Sequence, residues 1–293
     1  MGEKRYEPLN VPNEFKLEVF YSLTTAESYK GCILCVPGIC HGAWCFENFL
    51  EFFPNNGFDC FALSFRGHAG SAGHEKLNEF GLSDYAEDIK ECIEYCLKKK
   101  KVMKSTPFLL GHSMGGAVVQ NFIGKYANTI KGAILFAPAT AGGMGIWEQI
   151  KPIFSDGLAN GFKILNLINN NQTVPTNVMK KCAFFSGRVS EEKIEHYNKL
   201  LQNESKKAIS ELGKAYTDNY NKDNIPIMVV GSYADAYFGE KSLDKTADVY
   251  NCFKDNTKKR LEILPDLCHD MMLDENGWEN SARVVLEFME NNK

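Results

Sequence analysis

The sequence has 293 residues, of which 44% are hydrophobic and 24% charged, with 33 basic residues against 37 acidic ones. A chain of this length can bury a large core, and its proportions argue against long disorder. The net charge of −4 gives no reason to expect nucleic acid as a partner, because phosphate binding needs a basic surface.

The first residues lack the apolar run of a secretory signal, and Tyr6 stands where a myristoylation motif wants Ser or Thr. No window is apolar for the length of a membrane span, so a cytoplasmic protein is expected. Residues 15–21 alternate in the manner of a half-exposed antiparallel strand. Residues 32–36, 60–63, 108–110, 133–136 and 227–230 are short continuous apolar runs, the pattern of parallel strands covered on both faces. Residues 260–264 close the series. Between them the spacing predicts helices over 84–100, 115–126 and 278–289. Ser83 is a candidate cap for the first, and its run of lysines, 98–101, reads as a solvated C-terminal end. Strands and helices in alternation predict an α/β fold: a mostly parallel central sheet with helices on both faces, with ligands at the carboxyl ends of the strands.

One region breaks the alternation. Residues 139–223 show helical patterns at 146–150, 162–168 and 191–201, and no convincing strand. The expectation is a core made of 1–138 and 224–293, with 139–223 inserted as a helical cap. The ten cysteines sit mostly in apolar, periodic segments. Cys32 and Cys35 have the spacing of a metal knuckle, but residues three apart on a strand point to opposite faces. They are read as thiols packed as small hydrophobes in a reducing compartment. Neither a metal nor an organic cofactor is expected.

The chemistry begins at Gly111-His112-Ser113-Met114-Gly115. This Gly-x-Ser-x-Gly follows an apolar strand and opens a helix, the context of a nucleophile elbow, whose tight turn demands Gly111, Gly115 and Gly116. A serine hydroxyl needs a base to take its proton, and in this arrangement the chain order is serine, acid, histidine. Two histidines lie beyond Ser113. His196 falls in a polar helix and reads as a surface residue. His269 follows the last strand and is the expected base. Asp235 follows the 227–230 strand and is the expected acid. Glu240 is a less well placed substitute, and Asp266 and Asp270 are too close to His269 in sequence to be aimed at its ring. Oxyanion donors are expected from the Met114 amide and from the Ile39 amide, which follows Gly38 after an early strand. His41 reads as a loop residue bonded to backbone, and the Arg66–Ser71 turn as structural. Met144, Trp147, Ile150, Phe154 and Phe162 either line a greasy acyl pocket or pack the cap onto the core.

These motifs, with Pro37-Gly38, His41-Gly42-Ala43-Trp44, Phe65-Arg66-Gly67-His68 and His269-Asp270-Met271-Met272-Leu273, resemble α/β-hydrolases of the lysophospholipase and monoacylglycerol lipase kind. The resemblance runs from about residue 31 to 290. It departs at Pro37, where many relatives carry a histidine. Plant methylesterases and hydroxynitrile lyases share the His-Gly-Ala-Trp step, so that segment does not decide the chemistry. The resemblance implies a serine esterase acting on a small hydrophobic ester through an acyl-Ser113 intermediate. A thioesterase, an acyltransferase or a carbon–carbon lyase would use the same elbow. A non-catalytic small-ligand receptor of the same fold is the alternative of another kind.

Overall fold

The computed structural model describes residues 6–145, 148, 184–185, 187–220 and 225–293. Eight strands form one sheet: β1 (Glu7–Asn10), β2 (Glu18–Ser22), β3 (Gly31–Val36), β4 (Phe58–Leu63), β5 (Phe108–His112), β6 (Gly132–Phe136), β7 (Ile227–Ser232) and β8 (Lys259–Leu264). Their order across the sheet is β1-β2-β4-β3-β5-β6-β7-β8. The β1–β2 and β2–β4 pairs are antiparallel, and every later pair is parallel.

The strands foretold by apolar runs are present. β1 is the addition. Its sequence, Glu-Pro-Leu-Asn, is mostly exposed and shows no alternation, as suits an edge strand that meets little core. The described α-helices are α1 (Glu47–Asn55), α2 (Leu82–Glu94), α3 (Met114–Tyr126), α4 (Glu191–Leu200), α5 (Lys206–Glu211), α6 (Glu240–Tyr250) and α7 (Trp278–Asn291). Ser83 does not cap α2. Gly81 does, in extended backbone, and the Asp84 carboxylate accepts the Gly81 N–H at 2.7 Å. The helix starts before Ser83 because that acidic side chain, three residues into the helix, satisfies the donor ahead of it.

Alternate residues of β3 sort into the two layers. Cys32, Leu34 and Val36 join the cluster under α2, α3 and α6, while Ile33 and Cys35 join the one under α1 and α7. Cys32 and Cys35 are thus buried on opposite faces, and among the described residues the cysteines form no disulfide. No helix among the described residues is long and apolar enough to cross a membrane.

The pairing register brings the site together. Val36 lies opposite Gly111 and His112 opposite Phe136, so the loop after β3 runs beside the turn after β5. Ser232 lies opposite Leu264, so the loops after β7 and β8 are neighbours. Of the region between β6 and β7, the described parts are residues 139–145, 148, 184–185 and 187–220, including α4 and α5. The patterns at 146–150 and 162–168 are, apart from Glu148, outside the described residues.

Candidate active site

The turn after β5 holds Ser113 at φ 54° and ψ −117°, a strained geometry for a residue with a side chain. Close packing imposes it. A Cβ on Gly111 would come to 2.5 Å from Val119, and one on Gly115 to 2.7 Å from the Val36 carbonyl. The backbone at Gly111 and Gly115 therefore fits against α3 and the end of β3 only without side chains. The strain lifts Ser113 off the strand and leaves it at the N-terminus of α3.

Three side chains from three strand ends meet there. The Ser113 hydroxyl donates to His269 Nε2 at 2.9 Å, and His269 Nδ1–H donates to Asp235 Oδ2 at 2.9 Å. Asp235 Oδ1 accepts the Tyr237 and Phe238 amides at 2.7 and 3.1 Å, which fixes the plane of the carboxylate. The Ser232 hydroxyl oxygen accepts the Leu267 and Ala234 amides, tying the acid's loop to the histidine's loop. All three groups are nearly excluded from solvent. Burial alone would lower the His269 pKa, but the Asp235 charge and hydrogen bond, with Asp270 beside them, raise it above the ordinary value.

Gly38 abuts the serine. A Cβ there would come to 2.9 Å from Ser113 Cβ and from His112 Nδ1. Ile39 follows in a turn, and Met114 opens α3, where a helix leaves its first N–H groups without intrahelical acceptors. Ile39, next to Gly38, and Met114, next to Ser113, carry the amides expected as oxyanion donors.

The His269 nitrogens are hydrogen-bonded to Asp235 and Ser113, not to Asp270. Fully buried, Asp270 accepts from His41 Nε2 at 3.1 Å, and the His41 Nδ1 group bonds the Ile39 carbonyl at 2.6 Å. This joins the loop of His269 to the loop of Ile39. Burial would raise the Asp270 pKa, but His41 and the neighbouring rings hold it below the ordinary carboxylate range. His112, the variable residue of the elbow, donates from Nε2 to the His269 carbonyl at 3.1 Å. Burial first, and the His269 charge second, push it down to about 3, so it stays neutral. His112, His269 and Asp270 are the trio among the described residues whose ligand atoms cluster within 4.8 Å. A cation held by all three would compete with the Ser113–His269–Asp235 bonds, since both His269 nitrogens are engaged.

Aromatic rings wall the histidine. Tyr237 lies 4.7 Å from the His269 ring, and Phe184 stacks on both at 6.0 and 6.2 Å. Trp44 stacks on His41 at 5.1 Å and on Tyr197 at 5.9 Å. Neither Phe184 nor Tyr237 was singled out by sequence; the closeness of Tyr237 to Asp235 along the chain was the available signal.

The other candidates separate. Glu240 is exposed at the start of α6, and His196 is exposed on α4. Asp266 is exposed and pairs with Arg188. Met144 packs in the cluster that holds Ala208, Leu212 and Tyr216, with its amide donating to the Leu212 carbonyl at 2.8 Å. Trp147, Ile150, Phe154 and Phe162 lie outside the described residues. The Arg66–Ser71 turn is structural in part: Arg66 pairs with the buried Asp88, and Ser71 bonds β2 and the end of β4.

A sequence profile of the family described as "Serine aminopeptidase, S33" matches residues 27–276. A monoacylglycerol lipase of Mycolicibacterium smegmatis is 24% identical over 154 residues, 52% of this chain and 54% of the relative. Methyl jasmonate esterase 1 of Vitis vinifera is 30% identical over 100 residues, 34% of this chain and 36% of the relative. The chain is therefore matched to about half or less of the length of these relatives. Among solved structures, a bromoperoxidase from Bacillus anthracis superposes with a TM-score of 0.72 at 15% identity, covering 97% of this chain and 99% of that one.

Proposed function

The chain belongs to the S33 family of α/β-hydrolases, and from that membership we propose that it is a serine hydrolase cleaving carboxylic esters with a hydrophobic acyl group. The observation that carries this reading is the hydrogen-bonded series from Ser113 through His269 to Asp235 on a strained elbow.

The reaction follows from those contacts. Ser113 Oγ attacks the ester carbonyl as its proton passes to His269 Nε2. The carbonyl oxygen becomes an oxyanion, held by the Ile39 and Met114 amides and by the positive end of α3. Collapse breaks the bond to the alkoxide, which leaves with the proton from His269. Water, deprotonated by the same nitrogen, then releases the acid from Ser113. Asp235 keeps the ring in the right tautomer and stabilises its charged form. The rings of Phe184, Tyr237 and Trp44 favour an apolar acyl chain over a charged one.

The relatives' names, a lipase and a methyl ester esterase, agree on ester cleavage and differ in the ester. The family description names an aminopeptidase, which must hold a substrate ammonium with a carboxylate. Among the described residues, the acids that bear on His269, Asp235 and Asp270, are buried and bonded to histidines, which favours the ester.

A panel of p-nitrophenyl esters of increasing chain length, beside amino-acid p-nitroanilides, tests the reading. Ester turnover that improves with chain length and falls roughly 10⁴- to 10⁶-fold in Ser113→Ala is expected. Turnover of anilides alone, or near-normal ester turnover in the variant, contradicts it.

A further inference from the structure

The loop that carries Ile39 is a four-residue turn, Gly38 to His41, closed by the His41 amide donating to the Gly38 carbonyl at 3.3 Å. Its third residue has φ 67°, the left-handed region that such turns usually give to glycine. Here that residue is Cys40. A side chain in this conformation is strained, so something outside the turn must hold it.

The holding contacts come from the segment between α4 and α5. Glu204 Oε2 accepts the Cys40 N–H at 3.1 Å, and the Gln202 backbone N–H donates to the Cys40 carbonyl at 3.1 Å. Both peptide groups of the strained residue are thus bonded to one short piece of the insertion. Gln202 also bridges the next loop, donating from Nε2 to the Gly67 carbonyl and accepting the Ala69 amide on Oε1.

Glu204 is itself built in. It is almost wholly buried, and besides Cys40 its carboxylate accepts from His68 Nε2 at 3.0 Å, Tyr85 Oη at 2.9 Å and its neighbour Ser205 N at 2.8 Å. His68 Nδ1 faces the Arg66 carbonyl at 3.1 Å. A carbonyl and a carboxylate both only accept, so His68 donates from both nitrogens and is charged. Burial opposes each charge of the pair, yet Glu204 raises the His68 pKa and His68 lowers that of Glu204.

We propose that residues 202–204 clamp the oxyanion turn, with Glu204 as the positioning residue that keeps the Ile39 amide aimed at the developing oxyanion. The inference rests on the serine hydrolase reading above. It makes the insertion part of the catalytic geometry as well as a cover: a displaced insertion releases Cys40, and the turn relaxes to a conformation easier for a residue with a side chain.

The test compares the wild-type chain with Glu204→Gln on p-nitrophenyl acetate, too short to need the insertion, and on the decanoate. A trifluoromethyl ketone, which forms an oxyanion on the serine, is the inhibitor. In the variant, kcat on the acetate is expected to fall about 10- to 100-fold with KM within about twofold, because the lost aim matters only where charge develops. The inhibition constant of the ketone rises in step. Unchanged acetate kcat and ketone affinity, with only the decanoate KM raised, would mean that Glu204 merely packs the insertion and would overturn the proposal. If Glu204→Gln gives no cooperative melting transition, Glu204→Asp serves instead, since it keeps a buried carboxylate beside His68 while drawing it back from the Cys40 N–H. It should show the same split at about three- to tenfold, and no change in acetate kcat overturns the clamp. A wild-type chain that neither turns over the acetate nor binds the ketone fails at the hydrolase reading itself, and the clamp falls with it.

Discussion

Burial alone would make His269 give up its proton more readily than a free histidine, but the Asp235 carboxylate at 2.9 Å outweighs it. The ring acts as a base only when neutral. Ester hydrolysis should therefore fall as pH drops through a value above about 6.5, the ordinary histidine pKa. Asp235→Asn removes the charge that raises this value, so the acidic limb of the kcat/KM profile should move to lower pH. At neutral pH kcat should fall by about 10⁴-fold through loss of the correct tautomer. A limb that stays in place would assign the supporting charge elsewhere. Ser113, His269 and Asp235 could be read from sequence because each follows a strand, and strand ends converge at one edge of a parallel sheet. The partners of Asp270 and Glu204 could not. His41 is 229 residues from Asp270, and Cys40 is 164 from Glu204, distances at which pattern says nothing about pairing.

The elbow is where elements constrain one another most tightly. Gly115 lets α3 approach the end of β3, with the Pro37 and Val36 carbonyls in the space a Cβ would take. Gly115→Ala should push these apart, at a cost of about 1–3 kcal/mol in urea unfolding. It should also lower kcat, because the shift moves Ser113 against the Ile39 turn. A fully stable, fully active variant would mean that the packing at the elbow is looser than described. Among elements, the buried strands were legible because both faces are covered and their residues are uniformly apolar. β1 was not, because an exposed edge of four residues has no such signature. The start of α2 was misplaced because a glycine cap supported by Asp84 resembles any loop glycine until its backbone is seen.

Across the whole molecule, the segment between β6 and β7 is joined to the turn after β4 through the buried charge pair of Glu204 and His68, which gives stability a defined pH dependence. His68 has a raised pKa, so its contribution is complete below about 6.5 and is lost as pH rises through the folded value. Glu204 has a lowered pKa, so its contribution is present above about 4.5 and is lost as pH falls through its folded value. The pair, with Tyr85 of α2 bonded to Glu204 and the Arg66–Asp88 pair nearby, stabilises most between those limits. His68→Gln should lower unfolding stability most near pH 5.5–6, and the gap to wild type should close as pH rises. A gap that widens toward alkaline pH contradicts the assignment. The sheet was legible at this scale from the alternation of strands and helices. The segment between β6 and β7 was legible as an interruption of that alternation, with the apolar spacing of Ile194, Tyr197 and Leu201 marking α4, whereas its polar contacts to distant loops follow no sequence pattern.

Acyl transfer through Ser113 is the step on which the proposed hydrolysis depends. Rapid mixing with a p-nitrophenyl ester, followed by acid quench and peptide mapping, measures it most directly. A burst of about one p-nitrophenol per chain is expected, with an acyl group on the peptide that contains Ser113, both absent in Ser113→Ala. Steady turnover with no acylated peptide, or an acyl group on another residue, would contradict it.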